Sequence, residues 1–181
     1  MKNVKFVGKF QNYHAGDMSK IFIIESKKKL FLSIFIIFLI DRITKELVLN
    51  FSSEIKNTNL ELFSIFSLDL YFNKGVAFGL FSFDERTYFI SLTALIILIT
   101  IIIFVLMLNS KGYEKIGYAM IVGGSIGNIY DRINYSAVID FINLKPFNYD
   151  WFIFNLADMF ISIGIIFLIF LEIFKNKNKN V

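Results

Sequence analysis

The chain has no cysteine among its 181 residues. It therefore cannot form a disulfide, carry a thiolate nucleophile or bind a metal through cysteine. Histidine and proline occur once each, as His14 and Pro146. A single histidine so near the N-terminus argues against a histidine-dependent mechanism elsewhere in the chain. A single proline leaves long stretches free to form uninterrupted helices.

Hydrophobic residues, by contrast, make up 56% of the chain, and 23 residues are Phe. This composition is not that of a soluble domain. Residues 88–108 form a run of 21 residues without a charge. At about 1.5 Å per residue, that run is long enough to cross a hydrocarbon core of about 30 Å. We predict three further spans at residues 30–49, 116–133 and 151–171, each with charged or amide residues toward one end.

The distribution of Lys and Arg predicts the orientation of these spans. Residues 1–29, 109–115 and 172–181 hold seven, two and three of them, whereas residues 50–87 and 134–150 hold three and one. Positively charged loops stay on the cytoplasmic side. We therefore predict that both termini are cytoplasmic. The net charge of +4 is then explained by cytoplasmic lysines that meet anionic lipids, and not by nucleic acid.

The sequence divides into three parts: a cytoplasmic segment at 1–29, a membrane domain at 30–174 and a basic cytoplasmic tail at 175–181. Three lysines followed by the apolar run 30–40 are similar to a secretory signal peptide. Residues 41–45 lack the small side chains of a cleavage site, so we predict an uncleaved helix. Met18 is an alternative start of the chain.

Two aspartates, Asp140 and Asp158, lie 18 residues apart among mostly apolar residues. An ionisable side chain within a membrane helix costs roughly 2.5–3.5 kcal/mol, which makes each of them a candidate for function. A pair of carboxylates suggests proton chemistry. The alternative is that Asp140 caps an interfacial turn and Asp158 bonds a neighbouring helix.

Other polar residues precede this pair. Asp41 and Lys45 are four residues apart and share one helix face; alternatively, they form an interfacial ion pair in which Lys45 reaches toward the headgroups. Asn73 and Gly75 follow a strand-like run, where they could also simply form a hairpin turn.

The segment 123–132 combines small and polar residues. Gly123 and Gly127 would let two helices approach closely. Asn128 and Arg132 share a face and can donate hydrogen bonds to a carboxylate or a carbonyl. Ser125 lies in a G-x-S-x-G pattern, but that pattern needs a strand-to-helix turn and a histidine, so we reject it. We interpret Asp131 as structural, held by a local ion pair or by helix packing.

Five segments resemble, in order, the motifs of the lipoprotein signal peptidase (signal peptidase II) family. Each motif alone is weak, but five in order across residues 30–174 are specific. Arg42 departs from the family pattern, which more often has a neutral amide there, and we place it beside the site and not in it. The segments are Asp41 to Lys45, Asn73 to Phe78, Gly123 to Arg132, Val138 to Phe141 and Phe154 to Asp158.

This resemblance implies an aspartic endopeptidase of the bacterial cytoplasmic membrane, with its active site near the outer leaflet. It would cut diacylglyceryl-modified prolipoproteins on the amino side of the lipidated cysteine. The expected partners are these precursors and membrane lipids, without nucleic acid, metal or another cofactor. Asp140 and Asp158 would be catalytic. The residues that would line or support the site are Asp41, Lys45, Asn73, Gly75, Asn128, Arg132 and Asn155.

We therefore predict an all-α membrane protein of four transmembrane helices with a small extracytoplasmic β element between the first two. The resemblance adds an interfacial helix around Phe81 to Arg86. A different function, that of a small ion or proton carrier, would need polar residues through the whole membrane depth, whereas here they concentrate at the outer side. A protein that only packs against partners would tolerate replacement of the Asn and Asp residues.

Overall fold

In a computed structural model of the chain, the structure describes residues 15–51, 61–63, 65–75 and 85–177. This part is mostly helical and contains one small antiparallel sheet. The helices are α1 (Ala15–Asn50), α2 (Glu85–Asn109), α3 (Glu114–Tyr135) and α4 (Leu156–Lys177), and a short 3-10 helix spans Pro146–Asn148. The strands are β1 (Glu61–Phe63), β2 (Phe66–Asn73), β3 (Val138–Leu144) and β4 (Phe152–Phe154).

Three of the four runs predicted as spans are helical throughout, and the fourth begins differently. The runs at 30–49, 88–108 and 116–133 lie inside α1, α2 and α3. The predicted start of the last span at Trp151 is wrong, because Phe152–Phe154 pair as β4 and α4 begins only at Leu156. Helix α1 starts at Ala15, so the described part of the N-terminal segment continues the first helix.

Helix α3 lies at the centre and packs against α1, α2 and α4. The two glycines predicted to allow close packing face α1. A Cβ atom added to Gly123 would lie 2.9 Å from Ile37 Cβ, and one added to Gly127 would lie 2.5 Å from Asp41 Oδ2. The absence of side chains at these positions therefore brings Asp41 directly against the backbone of α3.

Two helices in the described part are long and apolar enough to cross a membrane, Arg86–Asn109 and Leu156–Phe174. Large apolar side chains on their outer faces, among them Leu98, Ile101 and Ile166, are more than half exposed. Water-exposed apolar patches of this extent are unfavourable in a soluble protein. The exposed faces are those of a protein that lies in lipid.

The sheet joins two distant segments of the chain. Its strand order is β1-β2-β3-β4, and each neighbouring pair is antiparallel. In the pairing of β2 with β3, Tyr71 lies opposite Asp140 and Asn73 lies opposite Val138. The prediction of a β element between the first two helices accounts for β1 and β2 alone. It missed β3 and β4 because residues 138–144 and 152–154 were assigned to a loop and to the last span.

Apolar and polar side chains occupy different ends of the helical bundle. One end holds an apolar cluster that includes Leu30, Met107 and Val122. The other end, further along α1 and α3 and next to the sheet, holds buried charged and amide side chains. Several predictions lie outside the described residues, namely His14, the tail beyond residue 177 and most of the interfacial helix; Arg86, at the end of that predicted helix, belongs to α2.

Candidate active site

Asp140 lies within β3, between Ile139 and Phe141. Branched and aromatic side chains favour an extended strand, and both neighbours are buried. The Asp140 side chain points to the opposite face of the strand from these neighbours, and only 2% of its surface is exposed. The alternative in which Asp140 caps an interfacial turn is therefore wrong.

Two side-chain amides hold the Asp140 carboxylate. Asn73 Nδ2 donates to Asp140 Oδ2 at 3.0 Å, and Asn155 Nδ2 donates to Asp140 Oδ1 at 2.6 Å. Asn73 ends β2 and Asn155 lies between β4 and α4. Each carboxylate oxygen thus has a donor that comes from a different element.

Asp158 lies in the first turn of α4 and forms a reciprocal pair of bonds with Asn155. Asp158 N donates to Asn155 Oδ1 at 3.0 Å, and Asn155 N donates to Asp158 Oδ2 at 3.3 Å. This arrangement is a capping box, which satisfies free N–H groups at the start of a helix. A carboxylate is also favoured there by the helix dipole. The sequence Asn155 to Asp158 therefore ends β4, starts α4 and orients Asp158.

Asn128 of α3 connects the two aspartates. Its Nδ2 donates to Asp158 Oδ1 at 2.8 Å, and its Oδ1 accepts from Asn155 Nδ2 at 3.2 Å. Since Asn155 Nδ2 also bonds Asp140, a continuous path of hydrogen bonds joins both carboxylates. The structure thus brings together all four of these predicted site residues.

Gly75 lies next to Asn73 and close to Arg132. Gly75 N donates to Asn73 Oδ1 at 2.8 Å, while the Asn73 amide nitrogen reaches Asp140. The predicted hairpin turn would continue into residues outside the described part of the chain. Gly75 has φ +71°, which side chains disfavour. A Cβ atom at this position would lie 3.0 Å from Arg132 Nη2 and from Leu92. Gly75 therefore leaves room for the guanidinium.

Arg132 faces a cavity of about 760 Å³ beside α2 and α3. Its guanidinium lies 5.2 Å above the Phe89 ring. Within the described residues, Arg132 Nε and Nη1 are buried and have no hydrogen-bond partner. Lys74 and Arg86 line the same cavity, together with apolar side chains such as Ile97. The cavity therefore combines several cations with an apolar wall.

Asp41 and Lys45 form an ion pair of 3.1 Å, but both side chains are almost completely buried. Lys45 therefore points inward and does not reach toward lipid headgroups. Its Nζ donates to Asn128 Oδ1 at 3.0 Å and lies 2.6 Å from Asp131 Oδ2. Lys45 thus supports the amide that bonds Asp158.

Sequence reasoning missed part of this charged cluster. Arg42, placed beside the site, forms ion pairs of 2.6 Å with both Asp41 and Asp131. The ion-pair partners of Asp131 come from α1, namely Arg42 and Lys45, and not from its sequence neighbour Arg132. The number of charges was the available signal. Residues 41–45 and 131 contain two acids and two bases, and buried charges must pair with one another when helices pack together.

Burial and charge alter the titration of Asp140, which lies in the sheet outside the helical spans. Burial raises the pKa of Asp140 to about 6, and the charge of Asp158 acts in the same direction, against the hydrogen bonds from Asn73 and Asn155. A carboxyl group with this pKa exchanges a proton near neutral pH.

No group of three or more metal-ligating side chains occurs among the described residues.

The fold and the paired carboxylates are those of a membrane protein with a site suited to hydrolysis by acid and base catalysis. The chain belongs to the signal peptidase II family, since the family model described as Signal peptidase (SPase) II matches residues 33–174. The chain is therefore a protease, and the carrier and scaffold alternatives are set aside.

Several relatives named lipoprotein signal peptidase match most of the chain. One from Pelagibacter ubique (strain HTCC1062) is 42% identical over 146 residues, which cover 81% of this chain and 88% of the relative. One from Wigglesworthia glossinidia brevipalpis is 39% identical over 149 residues, which cover 80% and 94%. The similarity to each relative thus extends over about four fifths of this chain.

Two solved structures, both described as a bacterial membrane enzyme, share the fold. One aligns with a TM-score of 0.61 and 23% identity over 85% of this chain and 92% of its own. The other has a TM-score of 0.59 and 24% identity over 81% and 92%. The arrangement of helices and sheet is therefore that of known membrane enzymes.

Proposed function

We propose that Asp140 and Asp158 are the catalytic pair with which this signal peptidase II removes signal peptides from prolipoproteins. The observation that carries this proposal is the path of amides between the two carboxylates. Asn128 bonds Asp158, Asn155 bonds both aspartates, and the two amide side chains bond one another. Such a path holds two acids in one buried site. Burial of two acids costs free energy, so their presence there favours a function.

Peptide hydrolysis without a metal or a covalent nucleophile needs a base that activates water and an acid that protonates or hydrogen-bonds the carbonyl oxygen. A close pair of carboxylates fulfils both roles when it holds one proton. Burial disfavours ionisation, and the first negative charge disfavours the second. The raised pKa of Asp140, about 6, agrees with this scheme. The pair is expected to titrate as a unit, with no fixed assignment of the proton to one residue.

The remaining predicted site residues have supporting roles. Asn73 orients Asp140, and Gly75 makes the turn that places Asn73. Lys45 and Asp41 hold the charged cluster behind Asn128. Arg132 is proposed to contact substrate, since its side chain lines the cavity and two of its buried nitrogen atoms lack partners in the described part of the chain.

The cavity supports a substrate that carries lipid. Its apolar wall, formed by residues such as Phe89, Ile90 and Ile97, suits an acyl chain. Its cations suit the carbonyl or ester oxygens near a lipid anchor. Neither aspartate lines the cavity, but the charges of both act on Arg132, which does. We propose that a diacylglyceryl-modified precursor binds here and is cut on the amino side of the modified cysteine.

For the membrane arrangement, we propose four spanning helices within a domain at 30–174, with both termini cytoplasmic. Helices α1 and α3 carry the buried charges at one end, which explains why they are less apolar than α2 and α4. The excess of Lys and Arg in residues 1–29, 109–115 and 172–181 sets the orientation. The site then lies near the outer leaflet of the bacterial cytoplasmic membrane, with membrane lipids as neighbours and no nucleic acid partner.

The proposal is tested with purified protein in lipid and a diacylglyceryl-modified prolipoprotein. Signal-peptide release is measured for wild type, Asp140→Asn and Asp158→Asn. We expect each variant to lose activity by about 10³-fold or more, while it stays folded. An unlipidated precursor is assayed in parallel, and we expect it not to be cut.

The matched control is Asp150→Asn, which changes an exposed aspartate of the same outer region. We expect normal turnover for this variant. Normal turnover by either Asp140→Asn or Asp158→Asn would refute the catalytic pair. Equal cleavage of the unlipidated precursor would refute the lipid requirement and leave the catalytic pair intact.

A further inference from the structure

A cluster of four buried charges lies between α1 and α3, behind the catalytic pair. Asp41 and Asp131 are fully buried, Lys45 has 1% of its side chain exposed and Arg42 has 15%. Lys45 Nζ lies 3.1 Å from Asp41 and 2.6 Å from Asp131. Arg42 lies 2.6 Å from each of the same carboxylates. Each base therefore bridges both acids, and the charges cancel.

The two acids of this cluster reach the backbone beside the catalytic pair. Asp41 Oδ1 accepts a hydrogen bond from Ala157 N at 3.2 Å. Asp131 Oδ2 accepts one from Ile139 N at 3.2 Å. Ala157 directly precedes Asp158, and Ile139 directly precedes Asp140. Each of these two acids thus bonds the backbone N–H of the residue that precedes one aspartate of the proposed catalytic pair.

Arg42 is well suited to hold these two acids at a fixed separation. Its Nη2 donates to Asp41 Oδ2, its Nη1 lies against Asp131 Oδ1, and Nη2 also reaches Gly127 O at 3.3 Å. The guanidinium lies 4.6 Å from the centre of the Tyr130 ring. A planar guanidinium fixes the direction of its bonds, which the flexible ammonium of lysine does not.

We propose that Arg42 is a positioning residue that sets the spacing of the two catalytic aspartates. It fixes the separation of Asp41 and Asp131, and these two acids in turn hold the backbone N–H groups of Ala157 and Ile139. Arg42 itself touches neither aspartate of the pair. The inference rests on the proposed function, because it assumes that Asp140 and Asp158 act together.

This role makes a kinetic prediction that differs from that of a purely stabilising residue. Displacement of a catalytic group by about 1 Å can cost about 10²-fold in rate. Arg42→Gln is therefore expected to lower kcat by tenfold or more, at an unchanged KM within about twofold, since substrate contacts remain. Arg42→Lys keeps the positive charge but loses the planar guanidinium that bonds both carboxylates. We therefore expect a kcat between those of Arg42→Gln and wild type.

The test is a mutant cycle in lipid with the diacylglyceryl-modified precursor. It uses wild type, Arg42→Gln, Arg42→Lys, Asp131→Asn and the double variant Arg42→Gln/Asp131→Asn. The amount of folded protein is quantified for each variant. Lys145→Gln is the matched control, since Lys145 pairs with Asp69 and Asp150 in the outer sheet and away from the cluster.

Because Arg42 is proposed to act by joining Asp41 to Asp131, its removal should change kcat by less than about twofold once Asp131 is already Asn and that connection is weakened. Independent effects that multiply in the double variant would overturn the proposal. So would a normal kcat in Arg42→Gln, or a change confined to KM. If Arg42→Gln fails to fold, Arg42→Lys decides the matter, since a kcat equal to that of wild type would show that the charge alone is needed.

Asp158→Asn is measured in the same series to separate this inference from the proposed function. Loss of cleavage in Asp158→Asn together with normal kcat in the Arg42 variants rejects the positioning role alone. Retained cleavage in Asp158→Asn rejects the catalytic pair and, with it, the basis of the inference.

Discussion

Asn155 bonds both members of the aspartate pair: its Nδ2 donates to Asp140 at 2.6 Å, while its Oδ1 accepts from Asp158 N at 3.0 Å. The first bond orients a carboxylate, and the second caps helix α4. One side chain thus joins the start of a helix to the centre of a strand.

These two roles of Asn155 can be separated by substitution. Asn155→Ser keeps a cap but cannot reach Asp140 with an N–H donor, so kcat should fall by about tenfold or more while stability stays close to that of wild type. Asn155→Ala loses both and should also cost about 1 kcal/mol of unfolding free energy. Thermal unfolding and precursor cleavage measure the two effects. Wild-type kcat in Asn155→Ser would show that the bond to Asp140 is dispensable.

Gly75→Ala should lower activity, whereas Gly112→Ala should not. Both glycines have positive φ, +71° and +60°, so each alanine should cost about 1 kcal/mol in backbone strain. Only at Gly75 would the new Cβ lie against Arg132, because no atom of the described residues lies within 4 Å of a Cβ added to Gly112. A similar loss of stability with different turnover is the expected result. If Gly75→Ala and Gly112→Ala have the same turnover, displacement of Arg132 does not lower activity.

Gly127→Ala should abolish cleavage, because its Cβ would lie 2.5 Å from Asp41 Oδ2. Asp41 would then lose its place beside Ala157. Ser125→Ala is the control on the same helix, and we expect normal turnover since no serine nucleophile is involved. The two variants are compared by signal-peptide release per folded molecule. If Ser125→Ala is folded but inactive, the hypothesis of a serine nucleophile in the G-x-S-x-G pattern would have to be reconsidered.

Asp140 should make the protein less stable as pH rises. Burial raises its pKa from the ordinary value of 3.8 to about 6, so the folded state binds the proton more tightly than the unfolded state. Stability from this group is complete below about pH 4 and is lost as pH rises through about 6, by about 3 kcal/mol in total. Asp140→Asn lacks this loss. Its thermal stability relative to wild type should therefore increase from about pH 4 to about pH 7.

Asp69→Asn provides a control of opposite sign. Burial by itself would raise the pKa of Asp69, but hydrogen bonds from Asn143 and Ser67 lower it overall. This carboxylate stabilises the folded state above its unfolded pKa, and the contribution is lost in acid. Asp69→Asn should thus be less stable than wild type at neutral pH. The same pH trend for both variants would show that the buried charge of Asp140 is not the cause.

Much of the fold followed from local patterns in the sequence. The uncharged run at 88–108 predicted α2, and Gly123 and Gly127 predicted close packing of α3. The strands β3 and β4 were missed because they form by pairing with residues far away in the chain. Tyr71 and Asp140 are opposite each other in the sheet, and no local pattern around either residue contains that information.

The same distinction applies to the site. The cost of placing ionisable residues among apolar ones identified Asp140 and Asp158 as candidates, since burial of a charge needs a reason wherever the chain folds. Arg42 was placed outside because its neighbours in sequence do not reveal its second partner, Asp131. That partner lies on another helix.

Composition and sequence order by themselves determined the membrane character, the candidate aspartates and the orientation expected from Lys and Arg, because hydrophobicity and charge act on each residue wherever it lies. The tertiary structure decided which amides hold which carboxylate, which way Lys45 points and which acids Arg42 bridges. Those contacts join α1, α3, α4 and the sheet, and their directional hydrogen bonds exist only when all four are assembled.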